Sequence, residues 1–378
     1  MSATTKQLRI GLCGFGSMGH THAYAVHNLP YYYSPLPFEA KIAGLCTTSP
    51  ERAAEHAARY GLGRVYANAE EMIADPEIDI IDICTPNELH FDTILAALRA
   101  NKHVLCEKPL CVTVEQAQQI AAAETAAGTV CGMVFNNRFM APMLRAKQLI
   151  SEGRLGRVLS FHCAYEHNSS TFADREPGWK QTAAHGGGVL NDLGSHAVDL
   201  IYHLLGDFER VQGLSQIAFA QHGASWQTDA DEAFYMTAQL KNGACGTIVA
   251  NKLATGANDD LSLTVFGEQG SLKYSLTEPE WLYFYDRNRP SSPIGGECGF
   301  TRIECGGRYP APGGAFPSPK ATVGWLRCHV ESYFTYLSCV AAGRPFAPSL
   351  ADGAYVQLIL ETARDAAKIG RALEVGNL

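Results

Sequence analysis

The sequence predicts a two-domain α/β protein. A doubly wound parallel sheet comes first, followed by an α+β domain on a large, mostly antiparallel open sheet. Three observations predict this. At 378 residues the chain is too long for one ordinary core. Residues 1–135 alternate short apolar runs with helical stretches, the pattern of a parallel sheet covered on both faces. Residues 136–378 carry longer strand-like runs joined by tight turns, with few helices among them.

In the first domain the expected strands are Leu8–Cys13, Ala40–Cys46, Ile78–Cys84, Val104–Cys106 and Val130–Phe135. Helices are expected at Met18–Asn28, Pro50–Tyr60, Ala69–Ala74, Phe91–Ala100 and Val114–Ala127. An insertion rich in Tyr and Pro, residues 29–39, precedes the second strand and reads equally as a self-packed surface loop or as a lip over a ligand mouth. The second domain opens with a helix at Met143–Glu152. Strands follow at Val158–Tyr165, Val211–Ala220, Ala233–Leu240, Ala244–Asn251 and Leu261–Phe266, interrupted by a helix over 189–205. Residues 286–323, rich in Gly and Pro, read as a long ordered loop or lid, and two helices close the chain at Trp325–Ala342 and Leu350–Ile369.

Composition narrows the function. A net charge of -8 and the lack of any Lys/Arg block argue against a nucleic-acid partner. The apolar stretch 189–205 is broken by Asp192, His196 and Asp199, so no membrane partner is expected. The start has no basic-then-apolar leader, which makes the cytoplasm the default compartment. Twelve cysteines are scattered singly, without C-x-x-C pairs or zinc spacing, so they read as reduced, and no metal is expected.

The strongest motif is Gly14-Phe15-Gly16-Ser17-Met18-Gly19, which follows the first strand and opens a helix. In that context G-x-G-x-x-G marks the dinucleotide site of a Rossmann domain, where the helix N-terminus faces the pyrophosphate. The ribose reader after the second strand, ordinarily Asp or Glu, falls here on Thr47-Thr48-Ser49, with Arg52 close by. Neutral hydroxyls tolerate either ribose, so NAD is expected with NADP left open. Cys84-Thr85-Pro86-Asn87 and His90 follow the third predicted strand at the carboxyl edge where such sheets bind ligands. Asn87 reads first as a helix cap and second as a ligand donor, and His90 as a partner for a backbone carbonyl.

Two further stretches carry chemistry. Val104–Cys106 ends in Glu107-Lys108-Pro109, so Lys108 emerges at the ligand edge, and Pro109 biases its backbone towards an extended form. Downstream, Gly186-Gly187-Gly188 leads into Asp192 and His196, whose spacing of four sets them side by side on a helix, with Asp199 and His203 beyond. Polar and aromatic candidates for substrate contact are Arg138, His167, Trp179, Lys180, Trp325, Arg327 and His329.

Together G-x-G-x-x-G, T-P-N-x-x-H, E-K-P and GGG-x-L-x-D-x-G-x-H-x-x-D resemble the Gfo/Idh/MocA family of sugar and cyclitol oxidoreductases over residues 8–210. The resemblance implies a catalytic trio of Lys108, Asp192 and His196, with Glu107 and Lys108 beside the cofactor. It also implies hydride transfer between NAD(P) and a secondary alcohol of a sugar, glycoside or cyclitol, and a homodimer or homotetramer built on the open sheet. Other members of the family cleave glycosides through a transient oxidation or serve as non-catalytic regulators. The usual acid after strand two is missing here.

Overall fold

The computed structural model describes residues 6–171, 178–222 and 226–378. The chain divides into two compact units, each formed around one main sheet.

The first unit alternates β1 (Lys6–Cys13), α1 (Ser17–Tyr32), β2 (Phe38–Cys46), α2 (Pro50–Tyr60), β3 (Arg64–Tyr66), α3 (Ala69–Ala74), β4 (Ile80–Ile83), α4 (His90–Arg99), β5 (His103–Cys106), α5 (Val114–Ala126) and β6 (Cys131–Met133). All six strands are parallel, in the order β3-β2-β1-β4-β5-β6. The order reverses between β1 and β4, and ligands of such sheets bind at the carboxyl ends of the strands there. Helix starts follow local chemistry. Ser49 and Asn68 accept backbone N–H groups of α2 and α3, and Thr113 with Gln116 forms a reciprocal cap on α5. β4 is buried along its whole length, and its one acidic residue, Asp82, is buried with it.

The second unit contains α6 (Ala141–Ser151), β7 (Val158–Glu166), α7 (Ser195–Leu205), β8 (Phe208–Gln216), β9 (Gln221–His222), β10 (Trp226–Gln227), β11 (Ala233–Leu240), β12 (Cys245–Asn251), β13 (Asp260–Gly267), β14 (Gly270–Ser275), β15 (Trp281–Asp286) and β16 (Phe300–Glu304). In chain order α8 (Leu326–Ala342), α9 (Leu350–Ile369) and β17 (Leu373–Glu374) follow; of these, residues 358–378 belong to the second unit. Among the described residues its large sheet has nine strands, ordered β16-β15-β14-β13-β7-β12-β11-β8-β17. Every neighbouring pair is antiparallel except β12 with β7. The segment expected as a bare loop, 286–323, contributes β16 to this sheet. One face of the sheet carries α7. The other exposes Gln212, Leu214, Tyr235, Thr237, Thr247 and Val249, with Leu214 66% and Tyr235 39% exposed, around a shallow groove of about 410 Å³.

The unit boundary differs from a single break near residue 136. Residues 310–319 and 325–357 belong with the first unit, because α8 packs on α1 and on β1 and β2. The Tyr/Pro insertion explains part of this. α1 runs past Pro30 to Tyr32, and Tyr33 turns inward, stacking on Phe334 at 3.7 Å with its hydroxyl donating to Glu331 at 2.6 Å. Arg327, expected as a substrate contact, is 1% exposed and donates to the Tyr33 hydroxyl, to Gly313 O and to Glu331. It ties the insertion to α8, so Tyr33 is anchored on that helix rather than packed only within the insertion. Among the described residues no helix is long and apolar enough to cross a membrane.

Candidate active site

In the first unit the candidate residues line the carboxyl edge of the parallel sheet. Gly14 has φ +91, and a Cβ there would lie 2.8 Å from Cys84 O. A Cβ on Gly19 would lie 2.6 Å from Gly14 O, so both positions need glycine for the turn itself. Gly16 differs. It is exposed, and an added Cβ would meet no protein atom within 4 Å. No side chain caps α1, whose first turn holds exposed Ser17 and half-exposed Met18. Phe15 turns away into a cluster with His20 and His56. The open space before Gly16 and the uncapped helix fit a pyrophosphate.

The neighbouring loops separate ligand-facing groups from internal ones. The Thr47 hydroxyl donates to Ser49 O at 2.9 Å and so closes the turn before α2, while Thr48 and Arg52 stay exposed. Thr85 Oγ1 is buried without a hydrogen-bond partner, as expected of a group waiting for a ligand. Pro86 opens a short 3₁₀ turn over Asn87–Leu89. The residues at the two cap positions, Pro86 for this turn and Leu89 for α4, make no side-chain cap, and Asn87 is buried within the turn. His90 is fully buried, its ring nitrogens each 2.9 Å from a carbonyl oxygen, that of Thr85 or that of Pro109. Burial pushes its pKa down. The ring links the Thr85 loop to the Lys108 turn.

In that turn Lys108 is half-buried and its peptide bond to Pro109 is cis. The Lys108 backbone N–H donates to Glu107 Oε2 at 3.1 Å. Glu107 is itself buried. Burial opposes its charge, but His22, 3.0 Å from Oε1, outweighs it and brings the pKa down to about 2.

The second unit carries the remaining candidate residues. Gly186 and Gly188 adopt φ of +74 and +102. A Cβ on Gly187 would lie 2.5 Å from Lys180 O, and one on Gly188 2.0 Å from Asp231 Oδ1. The glycines therefore serve the chain's own close approach. The helix expected over 189–205 begins as a π-turn, Leu190–Gly194, before α7, a distortion frequent at functional sites. Asp192 sits in that turn and accepts from Lys180 Nζ at 3.1 Å and Lys252 Nζ at 2.8 Å. His196 is 8% exposed, with the Tyr165 ring 5.8 Å away. Half-exposed Trp179 lies beside Lys180, whose Nζ is 5.7 Å from its ring centre. His167 is half-buried, its pKa lowered by burial and then by the charge of Lys252. Arg138 stands apart from the substrate role expected of it. It is buried and grips Asp199 with two nitrogens, at 2.9 and 2.6 Å.

Residues 8–135 match an oxidoreductase family model, Gfo/Idh/MocA, with an NAD-binding Rossmann fold, and residues 143–273 match the same family's C-terminal domain. The chain belongs to the Gfo/Idh/MocA family. It is an NAD-dependent oxidoreductase. Levoglucosan dehydrogenase of Pseudarthrobacter phenanthrenivorans is 28% identical over 372 residues, 94% of each chain. 1,5-Anhydro-D-fructose reductase of Ensifer adhaerens is 36% identical over 171 residues, 44% of this chain and 50% of that one. A structure of levoglucosan dehydrogenase with NADH and levoglucosan superposes with a TM-score of 0.94 at 28% identity, covering 99% of this chain and all of the other.

Lys252, which pairs with Asp192, is a residue that sequence reading missed in the second unit. Its signal was available: it directly follows a strand, much as Lys108 comes two residues after one. The cofactor half makes a sharp prediction. Gly16→Ala should leave the thermal midpoint within about 2 °C, since the methyl group meets no protein atom. The same change should weaken NADH binding roughly tenfold or more, as the methyl enters the pyrophosphate space. Unchanged binding in a fluorescence titration would remove Gly16 from the cofactor site.

Proposed function

We propose that the protein oxidises a secondary hydroxyl of a small carbohydrate ring, a glucose-type glycoside or anhydrosugar ahead of a cyclitol, with NAD+ as hydride acceptor. The observation that carries this reading is Asp192 held between Lys180 and Lys252, one helical turn before His196. A carboxyl group fixed in this way is suited to bind a sugar hydroxyl and set the ring's orientation. Trp179 offers an apolar face to the ring's C–H groups. Support comes also from the relatives, whose names specify levoglucosan, 1,5-anhydro-D-fructose and D-glucosides.

In this mechanism His196 takes the hydroxyl proton as the carbonyl forms, the usual work of a histidine base near neutrality. Lys108 donates a hydrogen bond to the same oxygen and stabilises its developing negative charge. Bound NAD+ supplies the hydride acceptor. Asp192 accepts from a neighbouring hydroxyl and keeps the reacting carbon in place. The test is a panel of levoglucosan, alkyl glucosides, anhydrohexitols and inositols, followed by the absorbance of reduced nicotinamide. Anhydrosugars or glucosides should turn over best. Lys108→Ala and His196→Ala should each lower kcat/KM by about 10³-fold while NADH binding persists. Near-parental activity in either variant would contradict the assignment.

The part of the outer face of the nine-stranded sheet around Leu214 and Tyr235 also belongs in this proposal, as the surface that meets a second copy of the chain. Its exposed Leu214 and Tyr235 sit opposite each other on adjacent strands, and apolar patches of this kind mark association surfaces. Twelve unpaired cysteines support a reducing compartment. In light scattering the parent should be a dimer or tetramer and Leu214→Arg a smaller species. A monomeric parent would refute the interface.

A further inference from the structure

Beneath the Lys108 turn lies a polar cluster that the proposed chemistry does not use. His22, from the buried face of α1, is fully enclosed. Its Nδ1 lies 3.0 Å from Asp82 Oδ1 and 2.9 Å from Cys84 Sγ, at the end of β4. Its Nε2 lies 3.0 Å from Glu107 Oε1. On the far side, the Tyr333 hydroxyl of α8 donates to the other oxygen of Asp82. On the near side, Glu107 Oε2 accepts the backbone N–H of Lys108. An unbroken run of side chains therefore leads from α8, through β4 and α1, to the peptide nitrogen of Lys108.

We propose that His22 is a positioning residue for hydride transfer: by bridging Asp82 and Glu107 it fixes the Glu107 carboxyl group, and through it the backbone that presents Lys108 to the reacting oxygen. The inference rests on the role given to Lys108 above. A neutral imidazole has one N–H, and only the doubly protonated ring donates to carboxyl oxygens at both nitrogens. Such charge-assisted bonds are short and directional. Burial opposes a charge on this ring, but Cys84 and Asp82 outweigh it and raise the His22 pKa well above the ordinary value. Glu107 shifts the other way: burial opposes its charge, and the bond and charge of His22 outweigh it. The remaining titratable groups that face the cluster do not compete for the proton. Burial lifts Cys84 to about 12, raises Cys106 and Tyr333 well above their usual values, and lowers His329 to about 3.

Removing the ring leaves Glu107 buried without the partner that orients it, and a buried polar group in that state turns or changes protonation. The Lys108 N–H then loses its fixed acceptor. Displacement of a catalytic group by about 1 Å can cost on the order of 10²-fold in rate.

His22→Gln tests this, because one amide cannot span both carboxyl groups. The expected result is a fall in kcat of roughly 30- to 100-fold, with KM and the NADH dissociation constant within about threefold of the parent. Glu107→Gln should behave alike, and the double variant should lose no more than the worse single one, because both act through one link. A folded His22→Gln enzyme with kcat within about twofold of the parent, or single losses that multiply, would overturn the proposal. A stoichiometric divalent metal that is lost in His22→Gln would also overturn it. Ring ¹⁵N resonances of the parent protein give a second measurement that does not depend on a variant folding. His22 should keep both ring protons above the pH at which an ordinary histidine loses one, and a ring already neutral there would refute the bridge. If Lys108→Ala is active, the site assignment itself fails. If Lys108→Ala is dead and His22→Gln is not, only the role of His22 falls.

Discussion

Two acidic side chains, Asp82 and Glu107, stand inside the parallel sheet where water does not reach them, and His22 is the group that lets both remain there. Much else in the first unit answers to this arrangement. α1 must bring His22 over β4 and β5, and α8 must bring Tyr333 to the free oxygen of Asp82. Removing one member of a buried pair of this kind costs about 3–5 kcal/mol, against a net domain stability on the order of 5–15 kcal/mol. A cluster that demanding is a poor choice if only stability is needed, since apolar side chains fill such space as well or better. Its value lies in direction: it ends on the backbone of Lys108.

The second unit solves the same problem in another way. Asp192 is exposed enough to meet a substrate, and two lysines define where its oxygens point. The loop before it is set by glycines that yield to Lys180 and Asp231, and by Asn191, which donates to Gly186 O and Gly187 O and accepts from Arg364. In both units the candidate residue, Lys108 or Asp192, is held by neighbouring side chains or through its backbone.

The readable and unreadable parts of the sequence divide along range. The glycine fingerprint was legible because its causes are local: a positive φ at Gly14 and a close contact at Gly19. The place of Lys108 just past β5 was legible because a buried parallel strand ends at the carboxyl edge of its sheet. The spacing of Asp192 and His196 predicted one regular helix, and the π-turn that holds Asp192 was not legible from it. His22 was missed because its partners lie 60 and 85 residues away. A clue existed in Ile80-Ile81-Asp82-Ile83, where an acid within a wholly apolar strand demands a hidden partner. Arg138 and Arg327 were misread for the converse reason. Each was expected as a substrate contact until the fold supplied Asp199, or Tyr33 and Glu331, as a buried partner.

Hydrogen exchange of the turn after β5 tests most directly whether His22 holds Lys108. Amides of 107–111 should be protected in the parent and exchange much faster in His22→Gln, while those of β1, β4 and β5 keep their parental rates. A turn that exchanges as in the parent, or a first unit that loosens as a whole, would contradict the idea that this one buried ring aims the catalytic lysine.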